Sequence, residues 1–386
     1  MAGSECGAIM LSAGEASGDV HGATLCLALK ELAPGLRLVG MGGARMAAAG
    51  VEIVADPTRH AVVGASEAVN RLPALYGAYR ALVRRLSEER PRAIVLIDFP
   101  EFNMRLARQA RRQGVPVVYF IPPQLWAWRK GRIRLMARFA SRVLAVFPFE
   151  RSLYEDAGVP VEFVGHPLLD VLPLDLTPGE ARRRLRVTGE APVVGLLPGS
   201  RREEVTRLLP PMLEAASRLA ARDGRRRFLL GLAPSVDRQL VEGLLRGRAS
   251  SAPAIEVLEE RTHEIMAAAD ALLIASGTAT LEAALLGAPM VVCYQVSRLT
   301  EAISRLLIRI QWISLPNIVS GRAVVPEILQ QEVSGERLAA EAERLLVDRE
   351  ASEAQRRAFG EIRGRLGERG VGRRAALAVL QVARAS

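Results

Sequence analysis

At 386 residues with 49% hydrophobic and only 4% aromatic residues, the chain is too long for one small domain, and its cores must be aliphatic, as in parallel sheets covered by helices. The formal charge of +10 comes almost wholly from arginine, whose planar fork suits phosphate and carboxylate. No segment has the uninterrupted apolar length that a membrane-spanning helix needs.

In chain order, "AIML" (8–11), "LRLVG" (36–40), "AIVLI" (93–97), "VPVVYFI" (115–121), "RVLAVF" (142–147) and "VEFVG" (161–165) read as strands. Between them, stretches such as "HGATLCLALKEL" and "NMRLARQARRQG" carry apolar residues at helical spacing. Prolines and aspartates break this rhythm in "HPLLDVLPLDLTPGEA" (166–181), which reads as a linker. The pattern restarts with "APVVGLLPGSR", "RRFLLGLAP", "AIEVLEE", "ADALLIASG" and "PMVVCYQV", and residues 336–386 read as helices. The expected fold is α/β, with two Rossmann-like domains facing a cleft. They span residues 1–170 and 171–386, and the last helix is a candidate to pack back on the first. Ligands of such sheets lie beyond the carboxyl ends of the strands, so functional residues are sought there.

Several chemistries lack their signatures. Neither lysine follows a glycine, which argues against a P-loop, and "SAGEASGDVHG" and "GMGGAR" depart from GxGxxG. Four scattered histidines and three cysteines without CxxC spacing (Cys6, Cys26, Cys293) give no metal site. The cysteines fit a reducing compartment, and the first residues carry neither a basic region nor a long apolar stretch, so no signal peptide is expected.

Turns placed directly after strands remain. "AIVLIDFPEFN" ends a buried run on Asp98, a carboxylate that is costly to desolvate unless paired or used. "LLPGSRREEV" turns on Gly199 and presents Ser200 and Arg201 at a helix start, an anion site. The structural alternative is a capping box from Ser200 to Glu203. "IASGTATLEAALLGAP" repeats the arrangement: Ser276, Gly277 and Thr278, with Thr280 in the same turn, can approach a diphosphate. Glu282 then either receives ribose hydroxyls or complements the helix dipole. In "SLPNIVSGRAVVPEILQ", Asn317 offers a donor and an acceptor to a base or phosphate, or is a plain turn residue.

Taken together, "SAGEASGDVHGA", "LIDFPEFN", "PPQLWAW", "VGHPLLD", "LLPGSRREEV", "ASGTATLEAALLGAP" and "SLPNIVSGRAVVPEILQ", in this order, closely resemble the lipid-A-disaccharide synthase family from about Met10 to Gln330. The resemblance implies the GT-B fold. It also implies inverting transfer of 2,3-diacylglucosamine from its UDP donor to 2,3-diacylglucosamine 1-phosphate, without a required metal or other cofactor. The products would be a β-1,6-linked disaccharide and UDP, formed on the cytoplasmic face of the inner membrane. Gln295 and Arg309 stand where relatives often carry lysine.

On that resemblance Asp98 is the candidate base, with Pro100 and Phe102 fixing its turn; the structural alternative is a helix N-cap or turn aspartate. Gly199, Ser200, Arg201, Ser276, Gly277, Thr278 and Thr280 would receive the departing UDP, and Glu282 and Asn317 would orient ribose and base. Glu15, Ser17, Gly18 and Asp19 line the loop after the first strand, and His21 is the alternative base. Val62, Val63, Val69, Leu72, Leu75, Tyr76 and Tyr79, interleaved with arginines, form an apolar stripe that either rests in an anionic headgroup layer or covers the sheet. The expected partners are the two acylated sugars and an anionic membrane; a homodimer stays open. Competing readings are another UDP-sugar transferase or epimerase and a nucleotide-sugar sensor. A nucleic-acid binder is disfavoured because the charge is spread along the chain.

Overall fold

A computed structural model describes residues 7–57, 67–123, 133–246, 252–296 and 311–385; of residues 67–72, 134 and 135 it describes the backbone alone. Among the described residues, those up to Val171 together with those from Leu366 onward form one compact unit, and Leu172–Arg365 form another.

The first unit holds β1 (Ala8–Ala13), β2 (Arg37–Met41), β3 (Glu52–Ala55), β4 (Ala93–Ile97), β5 (Val117–Phe120), β6 (Arg142–Ala145) and β7 (Val161–Phe163). Its helices are α1 (Ala16–Leu32), α2 (Ala44–Ala48), α3 (Glu67–Glu89), α4 (Pro100–Arg112), α5 (Ile133–Met136), α6 (Pro148–Glu155) and α7 (Leu168–Val171). All strands run parallel in the order β3-β2-β1-β4-β5-β6-β7. The five residues of β4 are fully buried because helices cover both faces of the sheet.

The second unit repeats the plan with β8 (Val193–Leu197), β9 (Arg227–Leu232), β10 (Ile255–Glu259), β11 (Ala271–Ala275), β12 (Met290–Tyr294) and β13 (Glu327–Leu329). Its helices are α8 (Pro178–Arg184), α9 (Arg202–Arg222), α10 (Arg238–Arg246), α11 (Thr262–Ala268), α12 (Thr278–Leu285), α13 (Leu315–Ser320), α14 (Gly335–Val347) and α15 (Arg349–Arg365). The order is β10-β9-β8-β11-β12-β13, again parallel. Arg226 closes this core from below β9: its guanidinium donates to both oxygens of Glu343 on α14, at 2.6 and 2.9 Å.

The final helix, α16 (Val371–Arg384), belongs to the first unit and packs on α1. Asp170 accepts hydrogen bonds from Gly370 N (2.6 Å) and Gly372 N (2.8 Å) at its start. Such a carboxylate satisfies donors that have no partner inside the helix. The segment 166–181, expected as a linker, thus contains α7 and the start of α8 as well as this anchor.

In each sheet the strand order reverses once, between β1 and β4 and between β8 and β11. At such a point the following connections diverge to opposite faces and leave a crevice at the carboxyl ends. Ala13 pairs with Ile97 and Ile274 with Leu197, so the turns after these strands leave the sheet side by side.

Two further expectations meet the structure here. Cys26 and Cys293 are buried and free, and burial pushes both thiols up to about 12, so they act as small packing groups; Cys6 lies outside the described residues. Helix α3 divides the proposed membrane stripe. Leu82 and Leu86 are fully buried in the core, and Tyr79 is half-buried, with its ring meeting Phe102 edge-on at 5.9 Å. Tyr76 is 63% exposed and Leu75 half-buried. Val62 and Val63 lie outside the described residues, as do the side chains of Val69 and Leu72. No described helix is long and apolar enough to cross a membrane.

Candidate functional site

The reversal point of the first sheet is flanked by the loop after β1 and the turn after β4. Gly14 leaves β1 under the ring of Phe99; a Cβ there would stand 2.2 Å from a ring carbon, so the two turns touch only because this residue is glycine. Glu15 and Ser17 are exposed at the start of α1, while Gly18 is buried against Ala13. Asp19 has a different task from lining this loop. At 6% exposure its carboxylate accepts from Gly43 N (2.7 Å), Arg45 N and Met46 N (both 3.0 Å), so it caps α2 and ties α1 to the turn after β2. His21 lies in the second turn of α1 rather than at its start, buried near His166. Burial, and secondarily His21, push His166 down to about 3, and its Nδ1 accepts from Leu168 N at 3.3 Å. The ring is therefore neutral, with its proton on Nε2.

Asp98 follows β4 in an unusual backbone. Asp98 (φ 46°) and Phe99 (φ 49°) are consecutive left-handed residues, and neither is glycine. Each such placement costs about 1 kcal/mol or more. The carboxyl is pushed up to about 6, chiefly by burial and next by the charge of Glu15, against a hydrogen bond from Phe99 N–H that favours ionisation. A carboxylate of this affinity is ionised at neutral pH yet basic enough to take a proton. Pro100 opens α4, and the rings of Phe99 and Phe102 meet with centroids 5.4 Å apart, tilted by 35°.

The reversal point of the second sheet lies between Gly199–Arg201, after β8, and Ser276–Thr278, after β11. Gly199 has φ 116°, and a Cβ on it would come within 2.4 Å of Glu204 Oε2. Ser200 N (3.0 Å) and Arg201 N (3.2 Å) both donate to that oxygen, so the capping box runs from Arg201 to Glu204, one residue later than the Ser200–Glu203 pair the sequence suggests. Two main-chain donors expected to face an anion are thus held by Glu204. The anion-directed groups that remain are the Ser200 hydroxyl and the exposed Arg201 guanidinium, whose side chain is 78% accessible and 3.7 Å from Glu204. Ser235, beyond β9, donates to Ser200 O at 2.6 Å and steadies the turn. Tyr294, at the end of β12, is raised above the usual phenol range by burial and by Glu204, against Arg201, which locates its hydroxyl in the same field.

Ser276 donates to Ile313 O at 3.1 Å, and Thr280 is buried and returns its hydroxyl to Gly277 O at 2.8 Å. Gly277 and Thr278 are exposed, and among the described residues a Cβ on Gly277 would meet no protein atom within 4 Å. The start of α12 is exposed at Gly277 and Thr278, while Ala279 is half-buried and Thr280 buried. Glu282, on the same helix, meets His263 Nε2 through one oxygen, Oε2, at 3.2 Å.

Asn317 corrects the sequence reading. It is fully buried: its Nδ2 donates to Val325 O (3.0 Å) and Glu327 Oε1 (2.8 Å), and its Oδ1 accepts from Val324 N (2.7 Å) and Val325 N (3.0 Å). Both donors and both lone pairs are used, so the amide has nothing left for a nucleobase. Glu327 completes the knot by accepting from Ile313 N, Ser314 N and the Ser314 hydroxyl.

Sequence reasoning missed Asn103, Tyr119, Glu204, His263, Tyr294 and Glu327. The first five follow or end strands, or face a residue that does, and that position was the available signal. Among the described residues no group of three or more His, Cys, Asp or Glu could hold a metal ion.

Two parallel Rossmann-like sheets, each with polar turns at its reversal point, define a protein of the GT-B type. Solved structures of this plan align along nearly the whole chain. The UDP-GlcNAc 2-epimerase from Neisseria meningitidis bound to UDP-GlcNAc gives a TM-score of 0.61 at 14% identity, over 98% of this chain and 100% of that one. The calicheamicin glycosyltransferase CalG4 gives 0.60 at 17%, over 98% of each; at such identities the likeness is one of fold. The family model described as lipid-A-disaccharide synthetase matches residues 9–381. The lipid-A-disaccharide synthase of Anaeromyxobacter dehalogenans (strain 2CP-C) is 44% identical over 376 residues, 97% of each chain. The chain belongs to the lipid-A-disaccharide synthetase family and is an enzyme of lipid A disaccharide synthesis.

Proposed function

We propose that the enzyme transfers 2,3-diacylglucosamine from its UDP donor to the 6-hydroxyl of 2,3-diacylglucosamine 1-phosphate, with Asp98 as base and the second unit holding UDP. The observation that carries this reading is the content of the two reversal points: a proton-accepting carboxylate at one, a guanidinium, hydroxyls and an open helix start at the other. The acceptor oxygen attacks the anomeric carbon while its proton passes to Asp98. The bond from that carbon to the diphosphate oxygen breaks, and the electron pair leaves with UDP, so the configuration inverts. Arg201, Ser200 and the turn Ser276–Thr278 would receive the growing negative charge, and Glu282 would accept from the ribose hydroxyls with the oxygen His263 leaves free. Glu15 and Ser17, both exposed after β1, would border the acceptor. Supplying both acylated sugars and measuring UDP release tests the reaction: turnover with this pair is expected, and turnover with UDP-N-acetylglucosamine instead would point to a different UDP-sugar enzyme.

Arg201→Ala removes the guanidinium but leaves the Glu204 cap. UDP affinity should fall about 10- to 100-fold, roughly 1.4–2.8 kcal/mol, in calorimetry. An unchanged Kd would remove Arg201 from the site.

For the membrane, we take the N-terminal half of α3 as the contacting segment, on the support of exposed Tyr76 beside half-buried Leu75 and exposed Arg80. Such a face rests at an anionic headgroup layer on the cytoplasmic side of the inner membrane. Tyr76→Asp should reduce flotation with anionic vesicles several-fold without altering UDP binding. Undiminished flotation would move the contact elsewhere.

A further inference from the structure

The left-handed pair Asp98–Phe99 persists only if its surroundings over-determine it. Asn103, fully buried in the first turn of α4, does most of this. Its Nδ2 donates to Asp98 O at 2.8 Å and also lies within reach of Ile97 O (3.2 Å) and Ser12 O (3.3 Å). Its Oδ1 accepts from the Ser12 hydroxyl at 2.7 Å. Tyr119, fully buried on β5, donates its hydroxyl to the same Asp98 O at 3.0 Å. On the other side Asp98 N donates to Ile121 O at 3.2 Å. The main chain of Asp98 is therefore pinned to groups from β1, α4 and the β5 strand with its following turn.

Helix formation does not explain this amide. Asn103 N already donates to Phe99 O at 3.0 Å, the first turn of α4, so the helix has its own starting bond. Nor does core packing, since burying an amide and two hydroxyls together is costly unless their geometry is needed. What the network fixes is the peptide from which the Asp98 side chain projects.

We propose that Asn103 is a positioning residue for the transfer reaction: with Ser12 and Tyr119 it locks the Asp98 peptide in the left-handed turn that sets the direction of the carboxylate. The inference rests on Asp98 being the base. None of the three touches substrate; each acts through Asp98.

The test compares Asn103→Ala and Tyr119→Phe with Asp98→Asn, each alone, with Tyr119→Phe also made in the Asp98→Asn background. Expected are a kcat loss of at least about 100-fold for Asn103→Ala and about 10-fold for Tyr119→Phe, with donor KM and UDP Kd within about twofold of wild type. In the Asp98→Asn background, Tyr119→Phe should change the residual rate by less than about twofold, since the group it aims is already lost. Tyr119→Phe removes one hydroxyl from a shape-conserving site, so it decides the matter if Asn103→Ala fails to fold. Wild-type kcat in both single variants beside an inactive Asp98→Asn overturns the positioning role and leaves the base standing. Equal tenfold losses in both backgrounds overturn it too. Full activity in Asp98→Asn overturns the base itself and, with it, this inference.

Discussion

Asp98→Asn should cut turnover by about 10²–10⁴-fold and at the same time make the protein more stable. The amide cannot accept the acceptor's proton, and loss of a general base costs on the order of 10²–10⁴ in rate. Stability moves the other way because the folded protein holds a carboxyl raised from 3.8 to about 6, which costs about 1–3 kcal/mol at neutral pH. The sign follows from linkage. The folded pKa is the higher one, so below about pH 4 folded and unfolded chains are both protonated and the carboxyl carries no penalty. The penalty grows as pH rises through about 6 and is constant above. The variant's excess stability should therefore be absent at pH 3.5 and complete by pH 7, and asparagine also tolerates the left-handed backbone. Activity depends on the ionised form, so kcat/KM of the unmodified enzyme should climb through about pH 6 and then level. A variant that loses activity and stability together would show that Asp98 serves the fold rather than the reaction.

Asn317→Ala should damage the second unit far more than a surface asparagine would. It strands Val324 N and Val325 N, frees Val325 O and takes one donor from Glu327. Orphaned buried groups of this kind cost about 1–3 kcal/mol each, and the non-additive total should be about 3–5 kcal/mol. The same knot carries Ile313, whose carbonyl accepts from Ser276, so the turn after β11 loosens with it. Thermal unfolding should shift down by roughly 5–10 °C, with UDP binding recovered at low temperature. Unchanged melting beside lost UDP affinity would instead restore a direct contact between this amide and the nucleotide.

The contrast between Asp98 and Asn317 shows what the sequence could and could not convey. Runs such as "AIVLI" and "ALLIA" announce strands buried on both faces, so the parallel sheets and the turns after β1, β4, β8 and β11 were legible. Strand β3, "EIVA", and strand β13, "EIL", were not, because three or four residues beginning with a glutamate carry too little apolar periodicity. The capping box slid by one residue because Ser200 is the better cap by type, whereas the backbone places Arg201 there. Asn317 read as a turn residue open to ligand because its partners, Val324, Val325 and Glu327, come back to it only through folding. Tyr79 shares a helical stripe with Tyr76, and periodicity alone cannot say that Phe102 waits beneath one and solvent beside the other. Asn103 offered only its place soon after a strand: its worth lies in Ser12, 91 residues before it, and in Tyr119 on a different strand.

The most direct trial of the account is a crystal structure of the enzyme with UDP. The diphosphate should lie within hydrogen-bonding distance of Arg201 and of the turn Ser276–Thr278, with a ribose hydroxyl on the Glu282 oxygen that His263 leaves free. A nucleotide bound at the reversal point of the first sheet, or one whose phosphates avoid Arg201, would contradict it.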